Sequence, residues 1–224
     1  KIYSPNTITM NKTRKYLALF VASICLSLQA WAETFSVANT EGVFISYETT
    51  SETTVRVIKG ESNYDGNVVI PTSVSYNDVE YVVDAIGEYA FFETGITTLP
   101  AFTKDTKIGR YAFAGCESLK EVTVTATLVK YGAYAFTGCE ALKSFRVNAS
   151  VLPDGMFYEC DNMEEVTIGP DVNEIGEFAF RDTAVETFEI ASGSKTYKVQ
   201  TAECILSADG KQLVAVAPTL TGEY

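Results

Sequence analysis

Between about residues 86 and 190, one short pattern is repeated five times. Its most regular mark is a phenylalanine that follows alanine, or methionine in the fourth copy: Ala90-Phe91, Ala112-Phe113, Ala135-Phe136, Met156-Phe157 and Ala179-Phe180. These phenylalanines are 22, 23, 21 and 23 residues apart. A fixed period of this length is typical of repeat solenoids, because one unit cannot bury its apolar face alone and packs against its neighbours. The sequence therefore predicts a repeat solenoid over residues 86–190.

Each copy contains two groups of apolar residues. In the second copy, Ile108, Ala112 and Phe113 have the spacing of one helical turn, which predicts a short helical or irregular segment. The second group, from Leu119 to Val124, includes the alternation of a short strand. Because equivalent strands are separated by a return segment, we expect them to pair in parallel, one per repeat, at a spacing of ~4.8 Å.

The side chains that alternate with the apolar strand residues vary from copy to copy. They form two columns: Glu121, Ser144, Glu165 and Thr187 in one, and Thr123, Arg146, Thr167 and Glu189 in the other. This is expected if packing fixes the inward face and leaves the outward face free. We predict that the outward face is a binding surface; the alternative is a solvated surface with no partner.

The segments that flank the repeats have different patterns. Residues 33–85 contain four candidate strands, at residues 43–47, 55–58, 68–71 and 81–83. We interpret this segment as an N-terminal β cap that covers the apolar end of the repeats. Residues 191–224 are interpreted as a variant repeat with a β-hairpin around Ala208–Lys211, and further repeats are expected beyond Tyr224.

A turn near residue 61 has two interpretations. Glu61, Asn63, Asp65 and Gly66 match positions 1, 3, 5 and 6 of a calcium-binding loop, but position 12 is Thr72 instead of a bidentate glutamate. The sequence therefore favours a hairpin turn at Asp65-Gly66 over a calcium site.

The first 32 residues have the organisation of a Sec-type signal peptide. Lys12, Arg14 and Lys15 precede an apolar run from Tyr16 to Leu28, and cleavage is predicted after Ala32. The run is too short for a membrane anchor, which needs ~20 residues. The remaining chain has 13 basic and 29 acidic residues, a net charge of −16. This charge argues against nucleic acid or an anionic membrane as a partner, since both require a basic face.

Four cysteines remain after this cleavage: Cys116, Cys139, Cys160 and Cys204. An exported protein with four cysteines can contain disulfides. However, the first three each lie three residues after a repeat phenylalanine, so they occupy one equivalent position in successive copies. We therefore predict buried free thiols that act as small apolar groups. A metal site is not expected, because the chain has no histidine and no close pair of cysteines.

The sequence offers little that indicates catalysis. The absence of histidine removes the usual general base and the serine and cysteine nucleophile systems that depend on it. The paired carboxylates that could hydrolyse a glycoside are Glu140, Glu159, Asp161, Glu164 and Glu165. Such residues are more often part of a solvated face, so we predict a protein that is not an enzyme and has no cofactor.

An aromatic column is the remaining candidate for ligand contact. Tyr89, Tyr111, Tyr134 and Phe178 each lie two residues before a repeat phenylalanine. They could form a stripe on which sugars stack, but a column at the structural period is more often part of the packing.

The second copy has the pattern Ile-Gly-x-Tyr-Ala-Phe-x-Gly-Cys-x-x-Leu-Lys-x-Val-x-Val. It resembles the BspA-type, or Treponema-type, leucine-rich repeat of bacterial surface proteins, and the resemblance covers about residues 86–190. Val68–Pro71 with Tyr81–Gly87 is similar to the segment that precedes the first repeat in that family. The fourth copy departs from the pattern, with Leu152-Pro153-Asp154-Gly155-Met156. The resemblance implies a right-handed leucine-rich repeat solenoid in an exported, Bacteroidota-like protein that functions in adhesion or protein binding.

These observations predict an exported, non-enzymatic module at the cell surface or outside the cell. It would bind an extracellular protein or glycoprotein of a host or a neighbouring cell, with no membrane insertion after signal cleavage. Two alternatives remain open: a carbohydrate-binding or glycan-processing component, and a structural spacer for another domain.

Overall fold

The computed structural model describes residues 32–61, 64–102, 106–124, 129–201 and 204–218. The predicted signal segment up to residue 31, Asn63 of the calcium alternative and the chain after residue 218 lie outside the described residues. Within them, no helix is long and apolar enough to cross a membrane.

The described residues contain strands and turns. The strands are β1 (Thr34–Ala38), β2 (Phe44–Thr49), β3 (Thr54–Ile58), β4 (Asp65–Asn67), β5 (Ser73–Tyr76), β6 (Val79–Ile86), β7 (Gly95–Phe102), β8 (Lys107–Ile108), β9 (Glu121–Val124), β10 (Lys130–Tyr131), β11 (Ser144–Val147), β12 (Val151–Leu152), β13 (Glu165–Ile168), β14 (Glu174–Ile175), β15 (Thr187–Ile190), β16 (Tyr197–Thr201), β17 (Cys204–Ser207) and β18 (Leu213–Val216).

The segment before the repeats is a sheet that continues into them. Strands β1, β2 and β3 pair antiparallel, and β3 pairs in parallel with β6. Strands β5 and β6 form a hairpin whose turn is Asn77-Asp78, with φ angles of 50° and 62°. Both central residues are thus left-handed, as a type I′ hairpin turn requires.

Two sequence predictions in this segment are wrong. Asp65-Gly66 is not a hairpin turn, because Asp65–Asn67 forms β4, which pairs in parallel with β7. Residues 68–71 form no strand. The buried side chains of Tyr64 and Val68 anchor both ends of β4 in the core, so the chain runs on as a rung beside β7 and does not reverse.

Each repeat contributes two short strands, not one. The four-residue strands β11, β13 and β15 pair in parallel, and β9 pairs in parallel with β7. A two-residue strand precedes each turn from the second to the fifth, and the end of β6 precedes the first. Strand β8 pairs with β6 and β10, and β12 with β14, all in parallel. Ile108 therefore belongs to a strand and not to the predicted helical or irregular segment.

The segment between the two strands is a turn with two left-handed residues, and none of the described residues is assigned to a helix. In the second copy, Tyr111 has φ 53° and Gly115 has φ 70°. Between them, Ala114 N donates to Tyr111 O at 3.2 Å, a bond that spans three residues. A helix cannot pass through two left-handed residues, which explains why the irregular interpretation holds and the helical one does not.

The repeat phenylalanines form the centre of the core. Phe91, Phe113, Phe136, Phe157 and Phe180 stack in chain order, with ring centroids 5.2, 5.2, 6.2 and 6.3 Å apart. All five are buried. The apolar strand residues close the core from the other side, as Phe145 does with its ring centroid 5.2 Å from that of Phe136. One side chain per repeat thus links each unit to the next.

The segment after the repeats is a separate antiparallel sheet of β16, β17 and β18. Strands β17 and β18 form a hairpin around the segment Ala208–Lys211. Asp209 stabilises the turn, because its Oδ1 accepts from Ser207 Oγ at 2.6 Å and from Lys211 N at 3.0 Å.

Candidate functional site

The two predicted columns lie on the outward side of the four-residue strands. In the pairing register, Ser144 is beside Glu165 and Glu165 beside Thr187; Arg146 is beside Thr167 and Thr167 beside Glu189. Seven of the eight predicted residues are exposed, and Thr167 is half-buried. We call these eight residues the strand face: Glu121, Thr123, Ser144, Arg146, Glu165, Thr167, Thr187 and Glu189.

The sequence prediction missed two residues that continue the first column. Thr98 in β7 is beside Glu121, and Asn67 in β4 is beside Thr98. Thr98 Oγ1 donates to Asn67 Oδ1 at 2.7 Å. Thr98 was detectable, because it stands one residue before the inward Leu99, as Glu121 does before Val122. Asn67 was hidden because β4 lies outside the repeat pattern.

The charges of the strand face point to solvent. Arg146 forms no ion pair within the part of the chain that the structure describes. Thr167 Oγ1 donates to Glu189 Oε2 at 3.5 Å, a long contact. A cleft of about 510 Å³ adjoins one end of the face, lined by Lys120, Glu121, Ala141, Lys143, Ser144 and Asn162. A guanidinium and carboxylates without strong internal partners are available for a partner's charges, which contribute to orientation and association rate.

The three tyrosines of the aromatic column stack on one another. We call Tyr89, Tyr111 and Tyr134 the tyrosine ladder; neighbouring ring centroids are 5.1 Å apart and the rings are nearly parallel. The other face of the Tyr134 ring, away from Tyr111, packs against Gly155 of the fourth turn. A Cβ added at Gly155 would lie 2.2 Å from that ring. Arg110 lies 5.0 Å from the Tyr111 centroid. Sugars stack on open ring faces, and both faces of Tyr111 and Tyr134 are covered, which favours the packing interpretation for these two rings. At the ends of the predicted column, Tyr89 and Phe178 are 43% and 51% exposed.

The thiols of the repeats are free and buried, as predicted. They are more than apolar fillers, because each Sγ donates to the carbonyl of the phenylalanine one copy earlier. Cys116, Cys139 and Cys160 reach Phe91 O, Phe113 O and Phe136 O at 3.0, 3.2 and 3.0 Å. In the first and last copies, Thr94 and Thr183 stand at this position and donate to the carbonyl of their own copy. The fourth cysteine, Cys204, is free and half-buried.

These thiols should make the protein sensitive to alkali. Burial raises the pKa of Cys116 to about 11 and of Cys160 to about 12. Unfolded thiols ionise near pH ~8.5, so the stability that these groups contribute is complete below that pH and is lost as the pH rises towards about 11. We compare the wild type with a triple variant, Cys116→Thr, Cys139→Thr and Cys160→Thr. Over this range, we expect the free energy of unfolding of the wild type to fall relative to that of the variant. Urea unfolding from pH 8 to 11 measures it; a difference that stays constant would contradict the assignment.

The carboxylates considered for catalysis are all on the surface: Glu140, Glu159, Asp161, Glu164 and Glu165 are at least partly exposed. Within the described ranges no three histidine, cysteine, aspartate or glutamate residues are placed to hold a metal ion.

The sequence matches the model of one protein family. The model of the BspA type leucine rich repeat region matches residues 84–202 in six copies. This is slightly more than half of the 224-residue chain. No curated protein matches the sequence.

Solved bacterial structures match the chain, and two of the three described below do so with a TM-score above 0.5. A leucine-rich repeat protein from Bacteroides capillosus is 27% identical, with a TM-score of 0.43, and the match covers 71% of this chain and 99% of that one. The pneumococcal vaccine antigen PcpA and a leucine-rich repeat protein from Eubacterium ventriosum are each 16% identical, with TM-scores of 0.51 and 0.54. Their matches cover 80% and 85% of this chain but only 55% and 52% of theirs. The chain thus has a leucine-rich repeat fold and spans about half the length of these two proteins.

Proposed function

This chain belongs to the family of BspA-type leucine-rich repeat proteins, and we propose that it is an exported, non-enzymatic module that binds an extracellular protein through its strand face. In this proposal the repeats are a solenoid, and residues 33–85 cap its first unit. The partner is a protein or glycoprotein on a host or neighbouring cell, and the result is adhesion.

One observation carries the proposal: the strand face presents exposed, varied side chains on consecutive parallel strands. These strands lie in two sheets, one with β9 beside β7 and one of β11, β13 and β15. Pairing within each sheet and the phenylalanine stack hold the strands, so their outward residues are fixed in position without taking part in the core. A face that is ordered before binding loses little conformational entropy on association. Its mixture of three carboxylates, one guanidinium and several hydroxyls suits the polar surface of a protein.

Two features support export and the absence of catalysis. The first 32 residues have the organisation of a signal peptide, with three basic residues before the apolar run. The chain has no histidine, and its paired carboxylates lie on the surface. The covered faces of the tyrosine ladder make a protein a better candidate than a carbohydrate.

The proposal predicts that a protein is the receptor on the cell surface. We expect the fluorescently labelled chain to bind epithelial or bacterial cells, and brief trypsin digestion of those cells to remove most of the binding. Glycosidase treatment of the same cells is the control, because it removes glycans and leaves polypeptide epitopes. Binding that survives trypsin and disappears after glycosidase treatment would contradict protein recognition and support a carbohydrate ligand.

A further inference from the structure

The turns of successive repeats are joined by a fixed set of backbone hydrogen bonds. In the second turn, the N–H groups of Tyr111, Phe113 and Gly115 donate forward to the third turn, at 3.2, 2.9 and 2.8 Å. The acceptors are Ala133 O, Ala135 O and Thr137 O. Three other turns donate forward from the equivalent N–H groups. The donors are Tyr89, Phe91 and Glu93 in the first turn; Tyr134, Phe136 and Gly138 in the third; and Gly155, Phe157 and Glu159 in the fourth. Each of the first four turns thus presents three donors at alternate positions, and the carbonyls of the next turn accept from them.

The fifth turn presents the same three donors without acceptors. Its equivalent residues are Phe178, Phe180 and Asp182, and their N–H groups have no hydrogen-bond acceptor among the residues that the structure describes. The turn has the same conformation as the others, because Phe178 and Asp182 have φ angles of 58° and 55°. Phe178 is also 51% exposed, a high value for an aromatic residue in a repeat turn.

Phe178 and Phe180 line a cleft of about 420 Å³, and Asp182 follows the last lining residue of the turn, Arg181. Residues 175–181 form one wall, and Val214, Ala215, Val216 and Pro218 form the other. The cleft thus combines a row of backbone donors with apolar side chains. Backbone N–H groups next to apolar surface are seldom left without a partner in proteins, so this surface is suited to a polypeptide that supplies carbonyls.

The interfaces inside the chain show which polypeptide fits. At every interior junction, the same three donors meet a turn of the same repeat, whose carbonyls have the matching alternate spacing. We propose that the cleft beside the fifth turn is a docking site for a leucine-rich repeat turn of another polypeptide, which would extend the stack of repeats. This inference does not depend on the strand face or on what it binds.

A second copy of this chain is a poor candidate for the occupant. In this chain, residues of the preceding segment already cover the side of the first turn that faces away from the second turn. The Tyr64 ring lies 4.7 Å from the Phe91 ring, and Lys59 Nζ lies 5.4 Å from the Phe92 ring. Head-to-tail stacking would require these side chains to move. The occupant is therefore a repeat turn without such a cover.

A tethered copy of the second turn tests the inference. The full chain is extended after Tyr224 by a flexible Gly/Ser linker and a copy of residues 107–124, so that the effective concentration offsets the entropy of ordering the added segment. The control extension is identical except for Phe113→Asp in the added copy. We expect the amide hydrogens of Phe178, Phe180 and Asp182 to exchange with deuterium about tenfold more slowly than in the control.

The Phe157 amide verifies that both extended proteins are folded, because its acceptor, Ala179 O, lies in the fifth turn and its exchange should be equal in the two. Loss of the added protection on Val216→Asp substitution would confirm the cleft as the binding site. Equal exchange of the three amides in the test and control extensions would overturn the inference. Protection that rises with the concentration of the unextended chain would also overturn it, since the occupant would then be a second copy.

Discussion

Replacing Phe136 with alanine should lower the free energy of unfolding by about 3–5 kcal/mol. Phe136 is fully buried at the middle of the phenylalanine stack, and its ring lies 5.2 Å from that of Phe113 and 6.2 Å from that of Phe157. Truncation would leave a cavity between two repeats that the paired strands prevent from collapsing. Because each repeat is stabilised by its neighbours, the loss weakens both junctions.

Urea unfolding followed by circular dichroism measures this effect. Phe178→Ala is the matched control, because it removes the same atoms from a side chain that is half exposed. We expect the control to cost about 1 kcal/mol or less. Similar losses for the two variants would show that the stack is not the main link between repeats.

The second large effect is expected at Gly132, where the backbones of two successive repeats lie so close together that a side chain does not fit between them. A Cβ at this position would lie 2.5 Å from Arg110 N and 2.7 Å from Gly109 C, and backbone atoms cannot move away as a flexible side chain can. Gly132→Asn should therefore lower the free energy of unfolding by about 1–3 kcal/mol, in the range of overpacked cores.

Gly138→Asn is the control that separates close approach from backbone conformation. Gly138 has φ 67°, which asparagine tolerates better than most residues, and a Cβ there would meet its nearest atom at an ordinary 3.5 Å. We expect its stability to stay within about 0.5 kcal/mol of the wild type. If Gly138→Asn lowered the free energy of unfolding more than Gly132→Asn, the left-handed turn conformation would matter more for stability than the close contact between backbones, and the prediction would be wrong.

The regular parts of the fold could be predicted from the sequence because they repeat. The period of the phenylalanines and the equivalent positions of Cys116, Cys139 and Cys160 are enough to indicate stacking. The alternation of β9, β11, β13 and β15 likewise separates inward from outward residues, so the composition of the strand face followed from pattern alone. Its role in binding stays a prediction.

Other parts depend on contacts that a local pattern does not contain. A two-residue strand such as Lys107-Ile108 is too short for alternation, so it is recognisable only from its partners in neighbouring repeats. Asp65-Gly66 and Asn77-Asp78 are both plausible hairpin turns from the sequence. Only Asn77-Asp78 is one, because Asp65-Gly66 belongs to β4, which pairs with the distant β7. Tyr111 in a left-handed conformation is unusual for its residue type, and the ring contacts of the tyrosine ladder accompany it.

The donors of the fifth turn are a further example. Phe178, Phe180 and Asp182 have the same place in the pattern as residues whose N–H groups are satisfied. What distinguishes them is the residues that lie next to them in space, which the repeat sequence does not specify.

The central claim is that the strand face, and no other surface, binds the partner. The most direct measurement compares the binding of two charge-swapped variants with that of the wild type, by flow cytometry on the cells that bind the wild type. Arg146→Glu with Glu165→Lys changes the strand face without altering net charge, whereas Lys130→Glu with Glu174→Lys makes the same exchange at exposed residues of the two-residue strands. We predict that the first variant loses about tenfold or more in affinity and that the second binds as the wild type does. Wild-type binding by the first variant, or loss of binding by the second, would contradict the claim.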